Sequence, residues 1–273
     1  MSIHSLVEIG TVQWSKKDII EELHRFLEVY KSRPVKDNEG GMKAPHMFAT
    51  WFMVRKLKPK YIIESGVWKG QGTWLLEQAA PDAQIFSIDP KLHYRKYIGD
   101  KVTYYDDDFS TIDWSEIGDK ENALLFFDDH QNALTRLKQS RAFGFKKIIF
   151  EDNYPVKHGD CYSLKKAFSD AGLSPTSAPR SLRSKLKQLL KPAKTENIPP
   201  NSEDRHYLEA NLKTYYEFPP IFKKEKTRWG DAWNEENYPT KPPLLNAARK
   251  EEYKTYFDEA AFYTWICLVE LKD

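Results

Sequence analysis

Apolar residues fall along this chain in two rhythms. Residues 15 to 31, SKKDIIEELHRFLEVYK, place Ile19, Ile20, Leu23, Leu27 and Tyr30 at helical spacing behind Ser15 as N-cap, which predicts an N-terminal helix. After the loop SRPVKDNEGGMKAP, residues 46 to 57 (HMFATWFMVRKL) read as a second helix that stops before Pro59. The rhythm then changes to short apolar runs separated by turns and helical stretches: KYIIES (60–65), AQIFSID (83–89), VTYYDDD (102–108), ALLFFDD (123–129) and KKIIFED (146–152). Runs without strict alternation indicate strands buried on both faces, hence a parallel sheet between layers of helices. The stretches around 73–80, 91–98, 131–143 and 162–171 are long enough for right-handed crossovers.

The expected fold is therefore a doubly wound α/β domain with a mostly parallel sheet, its last strand drawn from FYTWICLVEL (262–271). Between 173 and 258 the periodicity is lost in a stretch rich in proline, lysine and aromatics, too long for a passive connection. It reads as an inserted lid or substrate subdomain. The resulting division is a helical segment (1–58), a core (59–172), the insertion (173–258) and a final core strand (259–273). No internal repeat is visible.

Composition narrows the partners. The chain has 273 residues, 40% hydrophobic and 30% charged, which suits one large domain with an elaboration. A net charge of +2 gives no global reason to expect nucleic acid. Two cysteines, Cys161 and Cys267, make no disulfide framework and fit ordinary half-buried thiols in a reducing compartment. With no apolar span and no basic start followed by an apolar run, the expected location is the cytoplasm, and the chain is compatible with a homo-oligomer. Residues 180–194, RSLRSKLKQLLKPAK, line up leucines on one helical face with basic residues around the rest. Such a helix suits peripheral contact with an anionic membrane, where lipid-linked glycans are assembled, and equally suits a solvated cover.

Chemistry concentrates at the strand ends. In a doubly wound sheet, ligands bind beyond the carboxyl ends of the strands where strand order reverses. The first run ends at Glu64, and Gly66, Gly70 and Gly72 then allow a sharp turn and a close approach before a helix N-terminus. The spacing G-x-x-x-G-x-G differs from the dinucleotide pattern G-x-G-x-x-G, with Leu75 where a third glycine would complete it. A nicotinamide cofactor is disfavoured, while another nucleotide-binding Rossmann-like domain stays open.

The turn E-x-G-x-x-x-G-x-G-T resembles the first motif of class I S-adenosylmethionine-dependent methyltransferases. That resemblance implies a seven-stranded sheet and a cofactor site of Glu64, Gly66, Trp68, Gly70, Gly72 and Thr73, with Asp89 on the ribose hydroxyls, Asp108 and Phe109 at the adenine, and Asp128 nearby. The fourth run ends FFDDHQN and the fifth IIFEDNYP, so Asp128, Asp129, Glu151, Asp152 and Asn153 gather at adjacent tips. Clustered carboxylates call for a cation or protons, and an all-oxygen set favours Mg²⁺ or another hard divalent ion. The D-H and D-N pairs are similar to the metal site of catechol O-methyltransferase-type enzymes, which implies Asp129, Asp152 and Asn153 as ligands. FEDN is also similar to the Glu-Asp pair of macrocin O-methyltransferase and cephalosporin hydroxylase-like relatives, which brings in Glu151. Catechol-type enzymes carry a lysine base three residues after the first metal aspartate, where this chain has Asn132; His130 becomes the base to consider, with Asp129 beside it.

The function implied is metal-assisted methyl transfer to a hydroxyl, best a vicinal diol, on a sugar, glycan or glycosylated small molecule. A catechol-type aromatic acceptor and a catalytically silent cofactor-binding domain are the alternatives. Gly41, Lys43 and His46 should border the cofactor cleft, where they suit contact with the substrate or the methionine end of the cofactor, or form an ordinary glycine turn before a helix N-terminus; Tyr215, Tyr216, Trp229 and Trp233 offer faces for sugar stacking or a small core of their own.

Overall fold

The computed structural model describes residues 6–169 and 202–273. The basic stretch 180–194 lies outside the described residues, so its membrane reading has no structural counterpart. Three helices come first: α1 (Lys16–Glu21), α2 (Leu23–Lys31) and α3 (Ala44–Leu57). The anticipated N-terminal helix is thus two short ones, the first closed by a reciprocal capping box between Ser15 and Asp18. Helix α3 ends two residues before Pro59, with Lys58 between them in the left-handed conformation at φ 49°.

The strands are β1 (Tyr61–Ser65), β2 (Gln84–Ile88), β3 (Val102–Tyr105), β4 (Ala123–Phe127), β5 (Lys147–Phe150), β6 (Leu212–Glu217) and β7 (Cys267–Leu271). They form one sheet in the order β3-β2-β1-β4-β5-β7-β6, with the first five parallel and β7 antiparallel to both neighbours. This is the doubly wound, Rossmann-like α/β sheet expected from the sequence. Helices α4 (Gln71–Ala79), α5 (Ala133–Ala142), α6 (Leu164–Phe168), α7 (Ser202–Asn211) and α8 (Lys254–Asp258) complete the described helices. The connection from β2 to β3 holds only a 3-10 turn, Leu92–Tyr94.

Continuous apolar strands divide their side chains between two cores. Ile62, Leu124, Phe126, Ile149 and Leu268 join α2, α3 and α4 on one face, while Ile63, Leu125, Phe127, Ile148 and Val269 join Leu134, Leu137, Leu164 and Leu208 on the other. The period-2 alternation of a strand sends neighbours to opposite faces, so both must be apolar. Helix α3 is apolar all round for the same reason: Ala44 through Val54 are buried without a break.

One strand was not visible as such in the sequence. β6 lies within the stretch taken as an insertion, as the edge strand beside β7, with a register shift between Leu212 and Thr214. A bulge breaks the inside-outside alternation that marks an edge strand. The residues that follow also belong to the main body, because Phe218, Phe222, Trp233, Tyr238, Tyr253 and Tyr256 share the core of α2 and α3. The stretch 173–258 is therefore not a separate unit over its described length.

Candidate active site

The parallel register levels the strand tips. Ser65 pairs with Ile88 and with Phe127, Ile88 with Tyr105, and Phe127 with Phe150. Beyond that row the ladder continues one step, as Gly66, Asp89, Asp128 and Glu151 donate their amides to Ile88, Tyr105, Ser65 and Phe127. The residues that follow the strands thus form a second row across the crevice where strand order reverses.

Two clefts open from this row. The first, about 490 Å³, is lined by Gly66, Trp68, Asp89, Asp108, Asp129 and Arg136, among others. The second, about 830 Å³, includes Lys43, Glu151, Asp152, Tyr154, Arg228 and Trp229. Gly40, Gly41, Asp128 and His130 border both, so the turn from Asp128 to His130 is the partition between them.

In the first cleft the glycine turn is shaped by two close approaches. Gly66 has φ +101°, and a Cβ there would collide with the Asp128 carbonyl oxygen. A Cβ on Gly72 would meet Glu64 Oε1. Asp89 holds the turn from the next strand, Oδ2 accepting from the amides of Val67 (3.0 Å) and Trp68 (2.8 Å) and Oδ1 from Lys91 (2.7 Å). A carboxylate offers about four acceptor positions, so capacity remains for a hydroxyl. Trp68 adopts φ +48° and donates its indole N–H to the Glu39 carbonyl, standing over the mouth beside Tyr94.

Several sequence expectations change here. Glu64 does not line the cleft: it is fully buried beneath the turn, with Oε2 accepting from Thr73 and Ser87 hydroxyls at 2.6 Å each. Burial, opposed by those two hydrogen bonds, raises its pKa to about 7, and Oε1 has no hydrogen-bond partner. Thr73, Gly70 and Gly72 likewise shape the turn from behind. Phe109 is not an adenine contact but a core residue, packed on Phe127, Phe143 and Trp114 with no exposure. Asp108 does line the cleft, in a fork with Arg136 at 3.0 and 2.6 Å that holds its carboxyl well below the usual range.

Arg136 also binds Asp129, whose Oδ2 accepts from Arg136 Nε at 2.9 Å and from Ser65 Oγ at 2.7 Å. Asp129 therefore faces the first cleft and is committed to a buried guanidinium; it is not positioned as the metal aspartate or beside a base. Consecutive residues leaving a strand project to opposite sides, and the aspartate facing the second cleft is Asp128. Asn153 is also corrected. Its amide donates to Tyr215 Oη (2.8 Å) and the Trp265 carbonyl (3.0 Å), its oxygen accepts from the Lys165 amide (2.8 Å), and it is fully buried away from the clefts.

The group that converges is Asp128, His130 and Asp152, whose donor atoms all lie within 4.8 Å of one another. Burial raises the carboxyl pKa values of Asp128 and Asp152 well above normal, reinforced by Glu151 beside both. Asp152 Oδ2 is buried without a hydrogen-bond partner, with His130 Nδ1 3.3 Å away. Glu151 lies on the same wall, its carboxylate contacting His46 Nδ1. His46 Nε2 accepts from the Thr264 amide at 2.9 Å, so the proton sits on Nδ1 and is donated to Glu151. Burial lowers the His46 pKa to about 3, which keeps this ring neutral. His46 is thus a support for Glu151 and not a cleft contact, whereas Gly41 and Lys43 do line it.

His130 itself occupies a left-handed backbone position, φ +55°, and donates from Nδ1 to Asp160 at 2.8 Å. That hydrogen bond, with Asp152 and Asp128 nearby, raises its pKa to about 10 against the effect of burial. It is thereby held as a cation at neutral pH, contrary to the expectation of an imidazole titrating near neutrality. Asn132 offers no substitute base, since its side chain caps α5 by accepting from the Thr135 amide.

Of the four aromatics considered for the acceptor, Trp229 alone lines the second cleft. Tyr215 sits in the core of β6, Tyr216 packs edge-on to Trp14, and Trp233 stacks on Tyr263 at 18°. Both cysteines are buried and free. Among the described residues no helix is long and apolar enough to cross a membrane. The residues that the sequence did not bring forward are Arg136, Asp160 and Arg228, each carried by a helix or loop whose sequence has no marked spacing.

No family model matches the chain, and no curated protein matches it. Among solved structures it is similar to the SAH-bound methyltransferase PaMTH1 of Podospora anserina, at 13% identity over 97% of this chain and 100% of that one, TM-score 0.38. It is similar as well to the O-methyltransferase TomG of Streptomyces achromogenes (13% identity, 52% and 66% covered, TM-score 0.36) and to cmcI-N160 with SAH (19%, 54% and 81%, TM-score 0.35). At such identities and TM-scores these likenesses decide nothing about ligand or reaction.

Proposed function

We propose that this chain is an S-adenosylmethionine-dependent, divalent-cation-assisted O-methyltransferase acting on a hydroxyl of a sugar, glycan or glycosylated small molecule. The observation that carries the reading is the pair of clefts sharing one wall, with a glycine turn and ribose-ready acid on one side and the Asp128–His130–Asp152 group, anchored by buried Asp152, on the other. A first cleft of about 490 Å³ is large enough for a nucleoside. Asp89 would hold its hydroxyls, Trp68 would cover it, and the Asp108–Arg136–Asp129 network keeps the far wall rigid.

The second group fits a hard cation: Asp128 and Asp152 are crowded by Glu151, and buried Asp152 has one oxygen lacking any hydrogen bond. A divalent ion there would supply Lewis acidity that makes an acceptor hydroxyl easier to deprotonate, and the sulfonium would supply an electrophilic methyl carbon. The protein's own contribution is placement. Asp128 and Asp152 fix one end of the acceptor against the partition, and His46 orients Glu151. Asp160 holds the His130 ring, which must be neutral to act as a ligand. Alignment of a nucleophile across the partition, with water excluded, is where much of the rate advantage of such a transfer lies.

Calorimetry with S-adenosylmethionine, with and without Mg²⁺, tests the reading. Binding of the sulfonium at micromolar concentrations, and methyl transfer to glycan acceptors that stops on chelation, is the expected result. Absence of binding in both conditions overturns it.

A further inference from the structure

The second cleft is electrically two-sided. Its floor carries Asp128, Glu151 and Asp152, while its rim carries Lys43, Lys157 and Arg228. Among the described residues, neither Lys157 nor Arg228 has a carboxylate within ion-pairing distance or any hydrogen bond. Arg228 is held all the same: its guanidinium carbon lies 5.9 Å from the Trp229 ring centre and 5.7 Å from that of Phe262. Contact with two aromatic faces fixes a guanidinium while leaving donors free at its edge. Lys43 Nζ lies 5.7 Å from the same Phe262 ring and donates only to the Asn38 carbonyl. Lys157 sits at φ +73°, a backbone state uncommon outside glycine, in the turn that ends at Gly159.

Two acids beside this rim are already engaged, the first being Asp160, which accepts from His130 Nδ1 at 2.8 Å. Asp231 Oδ2 accepts from Tyr238 Oη at 2.7 Å and lies 2.8 Å from His158 Nε2, and the His158 ring stacks on Trp229 at 4.1 Å and 8°. A continuous wall of ring and cation results, and Phe262, 42% exposed, is one of the few large apolar side chains left open to solvent. A guanidinium fixed on aromatic surface without an ion-pair partner, with exposed Lys157 near it and a cation-seeking floor opposite, describes a ligand that is itself two-ended.

We propose that the acceptor is an acidic sugar: a pyranose whose hydroxyls face Asp128 and Asp152, whose ring lies against Trp229 and Phe262, and whose carboxylate or phosphate ester is bound by Arg228 and Lys157. This deepens the methyltransferase reading and rests on it for the role of the hydroxyl end. The anion must sit at the rim, since the floor would repel it, and the separation of the two ends sets which hydroxyl is presented.

The test compares charged and neutral probes on the whole chain in Mg²⁺, with and without S-adenosylmethionine, by ligand-observed NMR. Methyl glucuronide is set against methyl glucoside, and glucose 6-phosphate against glucose, so that carboxylate and phosphate are distinguished. The charged member of at least one pair should bind about ten-fold tighter, a gap that narrows with added salt. Arg228→Gln and Lys157→Gln should each reduce that ratio, and together bring it to about one, with S-adenosylmethionine affinity unchanged. Equal binding of both members, no binding of either, or a ratio untouched by the double variant overturns the proposal. Charge preference without sulfonium binding would instead overturn the methyltransferase reading and leave the anion site standing.

Discussion

Asp128 and Asp129 are adjacent in the chain, yet Asp129 faces the first cleft alone while Asp128 also reaches the second. The sequence places both at a strand tip, but which of them faces which side depends on the residue at which the ladder stops, and an apolar run does not mark that point. The same ambiguity affects Glu151, Asp152 and Asn153, where the structure assigns the last to the interior through Tyr215 and Trp265. Substitution separates the two aspartates. Asp128→Asn and Asp152→Asn should each lower Mg²⁺-stimulated methyl transfer by about 100-fold or more while sulfonium affinity is kept. Asp129→Asn should instead weaken sulfonium binding by releasing Arg136, as calorimetry would show. Glu64 carries a pH signature. Its folded pKa, raised to about 7 from 4.5, means that the folded state holds a proton the unfolded chain gives up. Its contribution is therefore fully present below about pH 4.5 and is lost as pH rises to about 7. Glu64→Gln, which mimics the protonated acid, should flatten denaturation midpoints across that window.

At the scale of elements, the turn from β1 into α4 depends on a fit between one missing side chain and one buried acid. Gly72→Ala should destabilise the fold because its methyl meets Glu64 Oε1, and the same change made with Glu64→Ala should cost less than the two changes added. A double-mutant cycle in urea measures that coupling. Helix α3 gives a second case. Phe48 is fully buried among Phe26, Phe52, Phe218 and Tyr256, so Phe48→Ala should cost about 3–5 kcal/mol in the same assay. The five parallel strands were legible because burial on both faces leaves an unbroken apolar run. β6 was not, since an edge strand with a register shift shows neither an unbroken run nor a regular alternation, and its tyrosines look like surface aromatics until Asn153 and Glu217 are placed beside Tyr215.

For the whole molecule, chain order and strand ends were enough to anticipate the sheet and the side on which its clefts open. The partition of that side into two clefts was not, because it depends on Gly40 and Gly41 arriving from a distant loop and on Arg228 and Trp229 from a segment with no periodicity. A cation bound only by the folded chain must also raise its thermal stability. Saturating Mg²⁺ should raise the melting temperature of the wild-type protein by a few degrees, and Asp128→Asn or Asp152→Asn should abolish the rise, as read by differential scanning fluorimetry.

The turn from Asp128 to His130 has the back of one compartment and the front of another in three residues. Whatever displaces it from one side is felt at once on the other, without any messenger through the sheet. Linkage then demands symmetry: if an occupant of one compartment tightens its neighbour's grip, the neighbour returns the same factor, and the sequence of arrival alters the route but never the sum.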